Sequence, residues 1–132
     1  MLVTPLYKAV LRGHTVAVRL LLERGAYIDW KDDDGWTYLH CTSIDNATDV
    51  AKVLLDYGVK IDTRTHDKRT PLHVAASHGR YDMAKLLIAH GANVNSVDTY
   101  NDTPLDDAKR RNKMRMIDLL LAHGAICNRY KN

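Results

Sequence analysis

Apolar residues recur at helical spacing in four separate stretches of this 132-residue chain. Within each stretch they fall three or four positions apart, which places them on one face of an α-helix. These faces are formed by Val18, Leu21 and Leu22; by Val50, Leu54 and Leu55; by Met83, Leu87 and Ile88; and by Met116, Ile117, Leu120 and Leu121. We predict amphipathic helices near 16–24, 48–57, 81–90 and 114–123, each followed by a glycine that suits a helix end.

Another predicted helix precedes each of these. Three open on Thr-Pro, at Thr4, Thr70 and Thr103, where the threonine can cap the helix and the proline occupies the first helical position. The other opens on Thr37. The four predicted helices, near 4–12, 38–45, 71–78 and 104–111, stop at Gly13, Asn46, Gly79 and Asn112, because Gly and Asn tolerate the left-handed conformation of a helix end.

These residues at the starts and ends of the helices recur every 33 residues without insertion or deletion. About eleven extended residues, including the turn sequence Asp32-Asp33-Asp34-Gly35, join one unit to the next. We predict a single domain over 1–132, divided into repeats at about 4–36, 37–69, 70–102 and 103–132. Such units stack because none can bury its apolar face alone.

The third unit carries a specific family resemblance. Its opening, Thr70-Pro71-Leu72-His73-Val74-Ala75-Ala76-Ser77-His78-Gly79, and its ending over 86–95 resemble the ankyrin-repeat signature. The resemblance extends from residue 4 to about 128 and implies an all-α fold, an α-solenoid of stacked helix-turn-helix repeats with β-hairpin fingers. It also implies a protein without catalytic activity that binds other proteins through its fingertips and the concave groove of its first helices.

The resemblance assigns roles to two further pairs of residues. His40 and His73 lie at the position of the family's buried histidine, whose ring hydrogen-bonds between loops. Asn95 and Asn128 lie at the position of the asparagine that a hydroxylase can modify in the family.

The repeat frame also predicts a binding surface of twelve residues. They are Leu11, Lys31, Asp33, Asp34, Trp36, Ile44, Arg64, His66, Arg69, His78, Tyr100 and Arg111. Structural demands are low at these positions, and Trp, Tyr and Arg contribute most to interface energetics, so we expect binding to centre on Trp36, Ile44, Arg69 and Tyr100. The alternative interpretation is scattered surface residues without a function. The first finger is acidic and the second basic, so a complementary partner would carry the opposite charges in that order.

Three repeats depart from the pattern. The second has Cys41, Thr42 and Ser43 where strong helix formers belong, so we expect its first helix to be the least stable. The fourth carries a basic run over 109–115 that gives a last repeat a polar outer face. The first has Val16 where the second and third repeats have Asp49 and Asp82, so we expect an unfinished N-terminal cap, from a longer array or covered by another molecule. The alternative is a small natural protein whose first helix frays.

Composition narrows the class of protein. The net charge of +3 is too small to imply nucleic-acid binding, and no run approaches the ~18 apolar residues of a membrane span. Met1-Leu2-Val3 leads directly into the first repeat, so we expect no signal peptide. Cys41 and Cys127 lie in non-equivalent repeats and predict free thiols in a reducing, intracellular compartment, cytoplasmic or nuclear. We expect a monomer unless the N-terminal face self-associates.

The sequence contains no strong signal for a catalytic, metal-binding or nucleotide-binding site. No Cys/His pair shows the spacing of a zinc site, and Cys41 with its neighbouring histidine lacks an oxyanion hole or a pocket. The glycines are helix caps and form no phosphate loop, and the acidic 29–34 stretch lacks the spacing of a calcium loop. The 109–115 run lacks aromatic residues for stacking on bases. We predict no catalytic residue, metal ligand or cofactor.

The sequence therefore predicts a non-enzymatic module that binds another protein, whose identity it does not reveal. Two alternatives stay open. One is a targeting or autoinhibitory segment of a larger enzyme or channel, which non-repeat sequence in the full-length gene would reveal. The other is an inhibitor of a kinase or a transcription factor, which pull-down against such partners would reveal.

Overall fold

The computed structural model describes residues 3–129, while Met1, Leu2 and residues 130–132 lie outside the described part. Within it, eight helices form four consecutive pairs. The pairs are α1 (Pro5–Leu11) with α2 (Thr15–Glu23), α3 (Tyr38–Asp45) with α4 (Thr48–Asp56), α5 (Pro71–Ser77) with α6 (Tyr81–Ala89), and α7 (Pro104–Arg110) with α8 (Met114–Ala122). Every helix end lies within one residue of the boundary predicted from sequence, which confirms the helical repeat.

Local chemistry explains where the helices begin and end. Thr4, Thr70 and Thr103 each accept a hydrogen bond from the backbone N–H three residues later, at 3.1, 3.3 and 3.2 Å. Proline follows each of these caps. At the other end, Asn46 and Asn112 take the left-handed conformation, with φ of 56° and 55°. Asparagine accepts this conformation more readily than most residues, so it replaces the glycine found in the other repeats.

The helix pairs stack in two parallel rows. The first helices α1, α3, α5 and α7 contact one another in chain order, and so do the second helices α2, α4, α6 and α8. Burial is most complete inside the stack, where every residue of the central helix α5 is buried. The apolar core divides into two clusters that meet in the second repeat, where Leu39 and Ala51 belong to the larger and Val50 and Leu54 to the smaller.

The fingers between repeats are tight turns, and the predicted β-hairpins are not confirmed. Each finger is closed by a backbone hydrogen bond of 3.0 Å, from the N–H of Asp32, Thr65 or Asp98 to the carbonyl of Trp36, Arg69 or Asp102. A second backbone bond tightens each turn, from the N–H of Gly35, Lys68 or Asn101 to the carbonyl of Asp32, Thr65 or Asp98, at 3.1, 2.8 and 3.0 Å. Among the described residues, the β-type pairing is a single isolated bridge between Lys31 and Thr37. The residue after each closing bond is the cap of the next helix, so a helix begins one residue beyond the bond, and in the first finger the bridge at the cap residue Thr37 is where pairing ends.

Successive fingers are joined to one another near their tips. The His66 N–H donates to the Asp34 carbonyl, and the Thr99 N–H donates to the Asp67 carbonyl, both at 2.9 Å. The three fingers therefore form one continuous row.

The two outer faces of the stack both expose apolar side chains. At the N-terminal face, Val16 is 74% exposed and Leu20 is also exposed. At the C-terminal face, the basic 109–115 run is largely exposed as predicted, yet Leu121 and Ile126 are exposed beside it. The last repeat is therefore less polar on its outside than its basic run indicated. None of the described helices combines the length and apolar character needed to cross a bilayer.

Helix α3 accommodates its two hydroxyl residues by satisfying them internally. Thr42 and Ser43 are buried, and both side chains donate to the Leu39 carbonyl, at 3.0 and 2.7 Å. Such bonds compete with the helical backbone bonds, which is why Ser and Thr are weaker helix formers than Ala.

We predict that Ser43→Ala stabilises the protein by about 0.5 kcal/mol, because alanine has the higher helix propensity and leaves no hydroxyl to satisfy. The matched control is Ala76→Ser, which places the hydroxyl at the equivalent buried position of α5 and should destabilise by a similar amount. Urea unfolding measures both. Amide hydrogen exchange should also be faster in α3 than in α5. Destabilisation by Ser43→Ala, or equal protection of the two helices, would contradict this explanation.

Candidate protein-binding surface

The tips of the fingers present the predicted residues to solvent. Lys31, Asp33 and Asp34 on the first finger and Arg64 and His66 on the second are exposed. The inter-finger bonds described above hold these tips in a row. The first finger is acidic and the second basic at this surface, as predicted.

Tyr100 is the largest exposed side chain of the third finger. Its side chain is 61% exposed, whereas its backbone is fixed by a 2.9 Å bond from its own N–H to Asp98 Oδ1. Arg129 donates to the Tyr100 carbonyl from the other side, also at 2.9 Å. The structure thus places a rigidly supported aromatic ring in water.

The predicted residues on the first helices are less uniform. Leu11, His78 and Arg111 are exposed. Ile44 is half-buried, and its carbonyl accepts a 2.7 Å bond from Arg80 Nε. Trp36 is also half-buried, because its ring lies against the His40 ring with 5.4 Å between centroids.

Arg69 is used inside the protein. Its guanidinium donates to Asp98 Oδ2 at 2.8 Å and to Asp107 Oδ2 at 2.9 Å. Both carboxylates are fully buried, so the two ion pairs join the second finger to the third finger and to α7. The sequence frame placed Arg69 on the binding surface, and the structure shows its charge already engaged by these two aspartates.

The ion pairs of Arg69 belong to a larger network at the C-terminal end. Arg110 pairs with Asp107 and Asp102, and Arg129 Nε lies 3.0 Å from Asp102 Oδ1. Oxygens of Asp98, Asp102 and Asp107 lie close enough together to suit a cation. Three guanidinium groups already contact these carboxylates, so the arrangement is a charge-balanced cluster.

A buried histidine joins the first helix of a repeat to the finger that follows. His40 Nε2 lies 2.8 Å from the Arg69 carbonyl, and His73 Nε2 lies 2.9 Å from the Asp102 carbonyl. On the other side of each ring, Nδ1 accepts from the backbone N–H of Thr37 or Thr70. Nε2 must therefore carry the proton and donate. Burial lowers the pKa of His40 to about 4 and also lowers that of His73, so both rings are neutral at pH 7.

The last repeat performs the same task with a carboxylate. Asp106 stands at the histidine position, and its Oδ2 accepts from the Thr103 N–H at 2.8 Å. Its Oδ1 accepts from the backbone N–H groups of Asn128 and Arg129, at 3.1 and 2.9 Å. An acceptor replaces the donor here because the following segment offers N–H groups.

The first repeat replaces the hydrogen bond with aromatic packing. Tyr7 stands at the histidine position, with its ring centroid 5.2 Å from that of Trp30 and the two planes tilted by 58°. Trp30 in turn stacks on Tyr38, at 4.9 Å and 14°. The Trp30 indole is 8% exposed, and its Nε1 has no hydrogen-bond partner within the described residues.

Comparison with known proteins agrees with this architecture. The chain matches the family described as ankyrin repeats (3 copies) over residues 3–65 and 60–131. The chain belongs to the ankyrin-repeat family.

Two curated relatives share part of the chain. Over 46 residues it is 44% identical to protein phosphatase 1 regulatory subunit 27 of Mus musculus and to that of Homo sapiens. The aligned part covers 35% of this chain and 30% of each relative, so the chain spans less than a third of their length.

The sequence interpretation missed two features of this ankyrin-repeat protein. One is the ion-pair network, whose charges lie up to 38 residues apart. The other is Trp30, which stands where the next two repeats have Thr63 and Ser96. A tryptophan at a position otherwise occupied by small polar residues was a visible signal of an unusual first junction.

We predict that Arg69→Met destabilises the protein by about 3 kcal/mol, because it leaves the buried Asp98 and Asp107 carboxylates short of a counter-charge. Arg64→Met, an exposed arginine of the same finger, is the control and should change stability by less than about 0.5 kcal/mol. Urea unfolding at pH 7 measures both. Equal stability of the two variants would show that the network contributes nothing.

Proposed function

We propose that this ankyrin-repeat chain is a non-enzymatic module that binds a partner protein through its fingertips and the exposed side of its first helices. The observation that carries the proposal is the contrast within each finger. The base of each finger is fixed by backbone bonds and, in the second and third fingers, by ion pairs or histidine anchors. The tips carry large or charged side chains, including Tyr100 and Arg64, for which the described part of the chain supplies no side-chain hydrogen bond or ion pair.

Pre-organisation of this kind favours binding. A side chain held on a rigid backbone loses less conformational entropy when a partner covers it. Tyrosine loses little entropy and offers a large amphipathic contact area, so Tyr100 fits the role of a binding hot spot. We place Tyr100 at the centre of the interface, with Arg64, His66 and the half-buried Trp36 and Ile44 beside it.

The order of charges along the fingers suits a partner with a defined polarity. Asp33 and Asp34 on the first finger would meet basic groups, and Arg64 on the second would meet acidic groups. Charges at the rim of an interface contribute mainly to the association rate and the orientation of the partner. Salt should therefore slow association more than it speeds dissociation.

A catalytic role for the thiol of Cys41, which follows His40 in the sequence, is disfavoured on physical grounds. Burial, with a smaller contribution from Asp32, raises the pKa of Cys41 to about 11. The thiol is therefore protonated at neutral pH, whereas a nucleophilic cysteine needs its thiolate.

A second candidate function is phosphatase regulation. The similarity to protein phosphatase 1 regulatory subunit 27 favours it, although that similarity covers only 35% of this chain. Direct titration of the purified chain with protein phosphatase 1 tests this candidate separately from the general proposal.

We predict that Tyr100→Ala weakens partner binding by about 2 kcal/mol, roughly 30-fold, while leaving the free energy of unfolding nearly unchanged. Tyr57→Ala, a tyrosine in the loop after α4, is the control. Proteins recovered with wild-type bait are identified by mass spectrometry, and the affinity of the main partner is then measured for each variant. A partner that binds wild type and Tyr100→Ala equally would move the interface away from the third finger.

A further inference from the structure

A groove of about 950 Å³ opens between the first finger and the loop that follows α4. Its walls are largely apolar and include Leu21, Ile28, Trp30 and Val59. Its volume lies at the upper end of the range for ligand pockets, about 300–1,000 Å³, so it can hold more than one side chain. Of the predicted fingertip residues, only Lys31 and Asp33 line it, so this site goes beyond the proposed fingertip surface.

The groove lies between the first and second repeats, where a hydrogen bond that joins the loops of later neighbouring repeats is missing among the described residues. Asp62 accepts from the Asn93 N–H at 3.1 Å, and one repeat later the Asn95 side chain accepts from the Ile126 N–H at 2.8 Å. At the first junction the equivalent pair is Asp29 and Lys60, and no hydrogen bond joins them among residues 3–129. This hydrogen bond therefore joins the two loops between the later repeats, whereas the equivalent bond is absent between the first two repeats in the described part of the chain.

One wall of the groove has the character of a free strand edge. Side chains over 27–30 alternate, with Tyr27 75% exposed, Ile28 half-buried, Asp29 exposed and Trp30 8% exposed. Alternation with a period of two is typical of an extended chain. The backbone N–H groups of these four residues make no hydrogen bond within the described part of the chain. An added strand can satisfy such groups, as in β-augmentation.

The charged residues at the rim of the groove favour a ligand that carries a basic group. Asp29, Asp32 and Asp33 line the groove together with Lys31 and Lys60. One oxygen of Asp32 already accepts from two backbone N–H groups, whereas the Asp29 and Asp33 carboxylates make no bond within residues 3–129. The rim thus holds one more carboxylate than ammonium group.

We propose that this groove binds an extended peptide segment of a partner protein. The peptide pairs its backbone with residues 27–30, inserts one large apolar side chain between Trp30 and Val59, and places an adjacent Lys or Arg near Asp29. Free carbonyl groups of the peptide supply the acceptors that the 27–30 edge lacks. Small junction residues, as at Thr63 and Ser96, do not create the aromatic wall, so the site is specific to the first junction.

The test uses hexapeptides of the pattern Ser-Thr-Arg-X-Thr-Ser, with X as Leu, Ile, Phe or Trp, added to isotope-labelled protein. At least one should bind with a dissociation constant below about 1 mM and shift the amide signals of residues 27–30 and 59–63 and the Trp30 indole signal. Replacing Arg by Asp in that peptide should weaken binding by about tenfold or more.

Two protein variants complete the test. Asp29→Lys should weaken binding of the Arg peptide by about tenfold or more, whereas Asp67→Lys, the same charge change on the second finger, should leave it within about twofold. Tyr100→Ala should also leave it unchanged, which separates this groove from the fingertip surface. The proposal is overturned if no peptide shifts these signals, if the Asp peptide binds as well as the Arg peptide, or if Asp29→Lys has no effect.

Discussion

The link between each first helix and the finger after it is the constraint on which the rest of the structure depends. A stack of helix pairs specifies how helices pack, but it does not by itself fix loops that project from the stack. His40 and His73 supply that link by donating to a finger carbonyl at 2.8 and 2.9 Å. Because each ring also accepts from the cap of its own helix, one side chain fixes the cap, the helix and the finger together.

The same position is filled by different chemistry at the two ends of the stack, with different consequences. At the C-terminal end, Asp106 accepts from the final segment and closes the stack with hydrogen bonds. At the N-terminal end, Tyr7 packs on Trp30, and a groove that Trp30 helps to line lies beside them. The fingers of the second and third repeats are therefore fixed by histidine hydrogen bonds, whereas aromatic packing stands in place of that bond in the first repeat. The fingertips and the groove are the two surfaces for which we propose binding.

Local sequence signals predicted the helices well. They could not predict contacts between residues far apart in the sequence. Thr-Pro, Gly and Asn act within one turn of helix, so the bounds of α1 to α8 could be placed within one residue. The role of Arg69 depends on Asp98 and Asp107, 29 and 38 residues away, and nothing near Arg69 in the sequence indicates that pairing. The β-hairpins followed from the family resemblance and are not confirmed, since the β-type pairing among the described residues is the single bridge between Lys31 and Thr37. The sequence shows Trp30 as an exception to the repeat pattern. Its packing role became clear only from the positions of Tyr7 and Tyr38 in the structure.

The histidine links are tested most directly by the pH dependence of stability in the wild type and in the double variant His40→Gln/His73→Gln. Both histidines have folded-state pKa values below the ordinary 6.5, so the unfolded chain binds more protons and stability falls as pH drops from 6.5 toward 4. With a pKa of about 4, His40 alone should remove about 2 kcal/mol between pH 7 and pH 5. We predict that the free energy of unfolding of the wild type falls by about 2 kcal/mol more than that of the double variant over this range. Equal pH dependence of the two proteins would contradict the claim that buried neutral histidines hold the fingers to the helices.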